Sequence, residues 1–478
     1  MNTVQTTTAP LNLIPKWIEQ QKQHSLALRD EPVEQRIQKL KRMKQWIKRH
    51  RSDIEDAIYQ DFRKPKFETD GSEILFVLQE LNHAIKHLKE WASPTKLKVP
   101  LTLPGTSSQV QYESKGVSLI IAPWNYPFQL MVSPWISAIA AGNCCVLKPS
   151  EMTPHTSELI FEMAASLFPR NEALVVQGDK EVAQKLLEQP FDHIFFTGST
   201  AVGKIIMKSA AEHLTSVTLE LGGKSPTIVD ETADIEVAAK KIAWGKFMNA
   251  GQTCIAPDYV LVHESVHDAF INNLRATLRQ FYQPADAPVE QSPDYARIVN
   301  EKHFDRLREA LEEAITEGAA VAIGGQYEAA SRFIAPTVLT DVPENCTLMQ
   351  EEIFGPILPV KKYSTLMEAV DYINDYPKPL AQYIFSEEER VQEYITRRTS
   401  AGGVCINDVI LHIVHPELPF GGVNHSGIGK SHGHYGFLEF SNQKGVMEQK
   451  WGNTLTNAFY PPYTEQLNSI MNRMLRWF

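Results

Sequence analysis

An α/β fold built on parallel sheets is what this chain of 478 residues predicts, and three observations carry the prediction. From Val117 onward, short strand-like runs alternate with helix-like ones, the pattern of successive β–α–β units. The alternation comes in two blocks, one ending near Leu219 and one running from Ser225 to about Pro419. The length exceeds what one hydrophobic core sustains, so two or three domains are expected.

Before these blocks, Ile14 to Trp91 reads as helices. Ile37, Leu40, Met43 and Ile47 form one apolar stripe. The basic residues around it (Lys39, Lys41, Arg42, Lys44, Lys48, Arg49 and Arg51) read as a solvated helix face, because a net charge of −10 opposes a nucleic-acid partner. Pro94, Pro100 and Pro104 punctuate an extended stretch, and Leu97 to Glu113 reads as a hairpin projecting from the body. In the first block, strands are expected at Gly116–Ile121, Cys144–Leu147, Ala173–Val176 and His193–Phe196, with helices at Ile136–Ala141 and Ser157–Leu167. Ligand-binding residues of such sheets sit just past the strand ends, where Asn125, Lys148, Glu151 and Ser199 fall.

Composition sets outer limits. Hydrophobic residues at 43% and charged ones at 22% belong to a globular protein with an ordinary core. Cys144, Cys145, Cys254, Cys346 and Cys405 are an odd, sparse set, no disulfide framework, and fit a reducing cytoplasm. Met1 to Leu11 lacks the basic start and apolar core of a signal peptide, and no run reaches the length of a membrane span. A cytoplasmic protein without an integral span is therefore expected. The tail, Leu467 to Phe478, carries Leu467, Ile470, Met471, Met474 and Leu475 at helical spacing. It reads as a helix capping its own protein or a partner subunit, with a membrane surface as the alternative.

Two windows carry chemistry. Phe247-Met248-Asn249-Ala250-Gly251-Gln252-Thr253-Cys254 sets one cysteine in a turn between a helix-like and a strand-like run. Such a thiol is either an exposed nucleophile or a buried structural residue. Thr218-Leu219-Glu220-Leu221-Gly222-Gly223-Lys224 places a carboxylate in an apolar strand that ends in glycines. Buried there, Glu220 is either neutral at a raised pKa, as suits a general base, or paired with Lys224 or another cation. Two further patterns are decoys. Gly198-Ser199-Thr200-Ala201-Val202-Gly203-Lys204-Ile205 nearly spells a P-loop, but Ile205 stands where a magnesium-binding hydroxyl is needed. His412, His415, His425, His432 and His434 crowd the C-terminal loops without any standard metal-ligand spacing, so no metal is expected.

The Cys254 and Glu220 windows resemble the two signatures of the aldehyde dehydrogenase superfamily, and the resemblance runs from about Val33 to Tyr463. It implies an aldehyde dehydrogenase-like fold, with two Rossmann-like parallel-sheet domains and a small β oligomerisation arm. Residues 1–96 and 114–219 would be the NAD(P)-binding domain, 220–419 the catalytic domain, 97–113 and 420–455 the bridging region, and 456–478 the tail. Pro123-Trp124-Asn125-Tyr126-Pro127 is similar to the motif whose asparagine holds the substrate oxygen. Lys148-Pro149-Ser150-Glu151 resembles the segment that meets the adenosine ribose, and Phe196-Thr197-Gly198-Ser199 the pyrophosphate helix. Glu352 and Phe354 match the residues that position the nicotinamide ribose and ring.

Asn407-Asp408-Val409 and Tyr460-Pro461-Pro462-Tyr463 resemble the class 3 group of fatty, aromatic and coniferyl aldehyde dehydrogenases. That resemblance implies oxidation of an aromatic aldehyde such as coniferyl aldehyde, or of a medium-to-long aliphatic one, to the acid. NAD is the implied cofactor, with NADP tolerated. It further implies a homodimer with contacts from Leu97 to Glu113 and Val446 to Trp451. Cys254 would form a thioester that Glu220-activated water opens. Tyr126, Trp135 and Ile410 are candidates to line the substrate pocket, each with a place in the core as the alternative, while His432 receives no assigned role. An acylating dehydrogenase is the alternative within the superfamily, and a P-loop phosphotransferase the alternative outside it.

Overall fold

Val117–Ile121 and Cys144–Lys148 are buried at every residue, which happens when helices cover both faces of a parallel sheet. In the computed structural model, which describes residues 10–100, 103, 105–283, 287–449 and 459–476, these strands lie at the centre of a six-stranded sheet. Its order is Gly427–Ile428, Ser216–Glu220, His193–Thr197, Val117–Ile121, Cys144–Lys148 and Ala173–Val175, parallel except at the Gly427–Ile428 edge. The chain therefore winds outward in both directions from Val117–Ile121, and the order of a doubly wound nucleotide-binding sheet results.

Alternate residues of these strands enter two different cores. Ile120, Cys145 and Leu147 pack with the helices Val33–Arg49, Leu75–Trp91 and Gln129–Ala141. Val117, Leu119, Ile121 and Val146 pack with Ile14–Leu28, Lys180–Leu187 and Thr200–Ala211. Gln129–Ala141 is wholly buried and apolar except for Gln129, Ser133 and Ser137 along one face. The expected stripe of Ile37, Leu40, Met43 and Ile47 is buried in the first of these cores. Lys39 departs from the expected solvated face: it is buried and bonds Glu31 and Glu172 at 2.6 Å each, because Val33–Arg49 is covered on more than its apolar side.

The second block forms a seven-stranded sheet. Its order is Ala320–Ile323, Thr337–Thr340, Ile357–Tyr363, Tyr259–His263, Pro226–Val229, Ala381–Phe385 and Gly403–Ile406, parallel except for Ala320–Ile323 at one edge. Thr95–Leu97 and Thr106–Ser114 pair antiparallel as the expected hairpin, and Ser441–Gln449 joins them as a third strand. Leu101, Thr102 and Pro104 of the hairpin, and Lys450 and Trp451 of the expected dimer segment, lie outside the described residues. So do residues 1–9, 452–458, 477 and 478.

The tail helix forms at Glu465–Met474, with the Thr464 hydroxyl accepting a bond from the Leu467 N–H. None of its residues is fully buried, and Leu467 and Met471 are half-buried on one face. No helix among the described residues is long and apolar enough to cross a membrane.

Candidate active site

The loop that carries Cys254 is built by its neighbours. After the helix Ile235–Phe247, Asn249, Ala250 and Gly251 all take left-handed backbone angles, with φ of 54°, 52° and 74°. A Cβ at Gly251 would lie 2.3 Å from the Gly355 carbonyl oxygen, so this position requires glycine. Gln252 is the clamp. Its amide donates to the carbonyls of Asn249 (3.0 Å) and Arg297 (3.1 Å) and accepts from the Val299 N–H (3.0 Å). The Asn249 amide donates to the Asn125 carbonyl at 2.9 Å, and the Asn125 amide donates to the Gln252 carbonyl at 3.0 Å. Thr253 shares a hydrogen bond of 2.7 Å with the Tyr126 hydroxyl. Gly251, Gln252 and Thr253 thus fix the backbone on which Cys254 stands.

Cys254 is half-buried and faces a cavity of about 310 Å³. Glu220, at the carboxyl end of Ser216–Glu220, lines the same cavity. Leu75, Phe76, Trp244, Met248, Ile410 and Phe420 make most of the remaining wall apolar. Tyr126 and Ile410 line it as expected. Trp135 does not: it is fully buried beside Phe168, on a helix whose every residue is inside the core.

Burial pushes the Glu220 carboxyl up to about 7, while the Ser431 hydroxyl that donates to its Oε1 and the nearby Lys430 pull it back. Lys224 is not its partner. That lysine is buried against Asp258 and donates to the carbonyls of Leu348 (2.8 Å) and Glu351 (2.9 Å), joining the segments around the second sheet. Burial also raises the Cys254 thiol above its ordinary value, and the carboxylates of Glu352 and Glu220 add to the rise.

Glu352 sits directly on the glycine turn: a Cβ at Gly222 would lie 2.1 Å from its carboxyl oxygen. Burial raises its pKa to about 8, against the pull of the Gly223 N–H. Phe354 meets the Trp124 ring edge-on at 5.4 Å, and Trp124 and the preceding Pro123 are half-buried at the mouth of the first sheet. The Lys148 ammonium bonds the Glu151 carboxylate at 2.9 Å beside a cavity of about 120 Å³, lined also by Ser150, Gln177 and Gly178. Gln177 Oε1 there is buried without a hydrogen-bond partner, an acceptor suited to a sugar hydroxyl. Gly198 and Ser199 open the helix Thr200–Ala211, whose N-terminus favours a phosphate. These residues follow the strands on either side of the point where the sheet order reverses, where doubly wound sheets bind dinucleotides. They fit a nicotinamide dinucleotide.

Several residues of the site lay beyond sequence reasoning. Glu68 lines the Cys254 cavity, accepts from the Asn249 N–H at 2.9 Å and is raised to about 7 by burial. In the sequence it stands among charged neighbours, with nothing to separate it from a surface residue. Ser431 adjoins His432, and only its hydroxyl links the two to Glu220. His432 is buried between the rings of Phe76 and Phe420, and its pKa falls to about 4. Among the described residues, no group of histidines, cysteines and carboxylates is arranged to hold a metal.

Comparison with known proteins agrees with this geometry. The profile of the aldehyde dehydrogenase family matches residues 4–446. The chain is 46% identical over 435 residues to 4,4'-diaponeurosporen-aldehyde dehydrogenase of Staphylococcus aureus, covering 91% of this chain and 93% of that protein. It is 43% identical over 438 residues to aldehyde dehydrogenase family 3 member A2 of Rattus norvegicus, covering 91% and 89%. Its fold matches a substrate-bound structure of Staphylococcus aureus AldH with a TM-score of 0.92 at 43% identity, over 96% of this chain and 99% of that one. This parentage removes the P-loop phosphotransferase reading, and Lys204, exposed on its helix, takes no part in the site. The chain belongs to the aldehyde dehydrogenase family, within its class 3-like group, and is an NAD(P)-dependent oxidoreductase.

Proposed function

We propose that this enzyme oxidises apolar aldehydes to carboxylic acids through a thioester on Cys254 that water, deprotonated by Glu220, hydrolyses. The observation that carries the reading is one cavity shared by a half-buried thiol and a buried carboxyl titrating near neutral pH. Burial keeps Cys254 a thiol at rest, so attack on the aldehyde carbon goes with release of its proton to solvent in the open cavity. Negative charge then gathers on the substrate oxygen. One N–H of the Asn125 amide is spent on Gln252, and the second, with the Cys254 backbone N–H, is the donor pair for that oxygen. Bound NAD(P)⁺ supplies the hydride acceptor. Lys148, Glu151, Gly198 and Ser199 would hold its adenosine and pyrophosphate, and Pro123, Trp124, Glu352 and Phe354 its nicotinamide half. Glu220 finally takes a proton from water as the new C–O bond forms and the Cys254 sulfur leaves. An acylating enzyme has no need of this base, so its presence in the cavity favours hydrolysis.

Glu151 can accept bonds from both ribose hydroxyls and repels a 2′-phosphate, which favours NAD with NADP tolerated. The apolar walls suit aromatic aldehydes, coniferyl aldehyde among them, and medium-to-long aliphatic ones. The relative that acts on a diaponeurosporene aldehyde adds weight to the long apolar class. Residues 1–96 and 114–219 then serve as the cofactor domain and 220–419 as the catalytic domain. Residues 97–113 and 420–455 serve as the bridging region, and the three-stranded arm of Thr95–Leu97, Thr106–Ser114 and Ser441–Gln449 makes the homodimer contact. A panel of aromatic and aliphatic aldehydes, read at the NADH absorbance with each cofactor in turn, tests substrate and cofactor together. Turnover confined to short polar aldehydes, or to NADP, would contradict the reading.

A further inference from the structure

A second, smaller cavity lies behind Glu220. It has a volume of about 10 Å³, room for one water molecule, and several polar side chains interrupt its largely apolar wall. Gln129 and Ser133 come from the helix Gln129–Ala141, and Thr197 from the end of His193–Thr197. Ser431 and His432 come from the C-terminal loop. Gln129 Nε2, Ser133 Oγ and Thr197 Oγ1 are all buried without a hydrogen-bond partner, on residues no more than 6% exposed. Buried polar atoms are nearly always paired, so three orphans around one pocket beside a carboxyl point to a bound water that satisfies them.

Ser431 connects this pocket to the base. Its hydroxyl donates to Glu220 Oε1 and accepts a hydrogen bond of 2.8 Å from His432 Nδ1–H. We propose that the pocket holds a structural water, and that this water, together with Ser431 and His432, holds the Glu220 carboxyl in position for thioester hydrolysis. The proposal rests on the thioester reading above. Glu220 receives the proton of the attacking water as the acyl C–O bond forms and the C–S bond breaks. Glu220 then passes that proton to the departing Cys254 sulfur across the shared cavity, which restores the thiol. Glu220 returns to its ionised state with every proton accounted for. Ser431 is thus a positioning residue, acting on the substrate only through Glu220. The charged groups facing Glu220 are Lys430, Glu439 and, across the cavity, Cys254, while Glu80 accepts from the Gly433 N–H behind His432.

The test is stopped-flow NADH formation across pH, on the full-length enzyme and on Ser431→Ala, Ser431→Thr and Thr197→Val. Ser431→Ala keeps the burst of NADH but slows the steady state by about 10-fold or more, the lower range for acid–base catalysis. Its acidic kcat limb moves to higher pH, because the hydroxyl that holds the Glu220 pKa down is gone. Ser431→Thr restores both. Thr197→Val removes a hydroxyl that bonds no protein group, so the fold is spared, and slows the steady state without touching the burst. If Ser431→Ala and Thr197→Val both keep the wild-type steady state and limb, the proposal is overturned. A fall in burst and steady state together with an unmoved limb would mark Ser431 as merely structural and also overturn it. A wild type without any burst would instead remove the underlying reading, that a thioester forms on Cys254 faster than it hydrolyses.

Discussion

Replacing Glu220 by Gln isolates what the carboxyl contributes, because the amide keeps the size and leaves an oxygen to accept from Ser431. Two consequences follow from its burial and its pKa of about 7. The first is kinetic. A base must be ionised, so wild-type kcat falls about tenfold per pH unit below 7 and levels above it. Glu220→Gln abolishes that limb and slows steady-state turnover by about 10²–10⁴-fold, the usual contribution of a positioned base. Thioester formation does not need water to be deprotonated, so a burst of one NADH per site precedes the slow phase.

The second consequence concerns stability. The folded-state pKa of Glu220 lies above its ordinary 4.5, so the folded protein binds this proton more tightly than the unfolded chain does. The stability linked to it is fully present below about 4.5 and is lost as pH rises to about 7. The difference amounts to the order of 3 kcal/mol once both states are ionised. Glu220→Gln carries no such penalty. Denaturant unfolding at pH 5 and pH 8 should therefore show the variant gaining on the wild type at the higher pH. An unchanged steady-state rate would remove Glu220 from the role of base, and a stability difference that ignores pH would show that its carboxyl is not buried in solution.

Cys254→Ala should fold normally and lose dehydrogenase activity, as read by NADH formation together with thermal unfolding; retained turnover would refute the nucleophile. Gly251→Ala should destabilise by about 2–3 kcal/mol in denaturant titration, since φ of 74° and the Gly355 carbonyl at 2.3 Å both oppose a Cβ. A wild-type midpoint would show that the loop can move away. Lys224→Met should cost about 3–5 kcal/mol by leaving Asp258 buried without its cation, and a near-neutral result would show that Asp258 is hydrated or protonated.

Much of the fold was legible because it rests on local pattern. Continuous apolar runs such as Val117–Ile121 and the alternation of strands with helices require only neighbours in sequence, and the reading of two parallel sheets and a hairpin arm follows from them. The proposed nucleophile and base stood out for a related reason: each lies in a short segment whose companions serve it directly. Gly251, Gln252 and Thr253 shape and anchor the loop of Cys254, and Gly222 clears the space that Glu352 occupies. What stayed hidden depends on contacts between distant segments. Lys39 looked solvated because nothing near it announces Glu172, which lies across the core. Trp135 looked like a pocket residue because an aromatic ring near Asn125 in sequence need not face the same way, and its helix is enclosed on all sides. Ser431 and Glu220 come together only because Gly427–Ile428 adds an antiparallel edge to Ser216–Glu220 and turns the following residues back over the strand end. That edge pairing places the hydroxyl on the carboxyl, so the length of the connection from Ile428 to Ser431 is itself a determinant of how the Glu220 carboxyl is set.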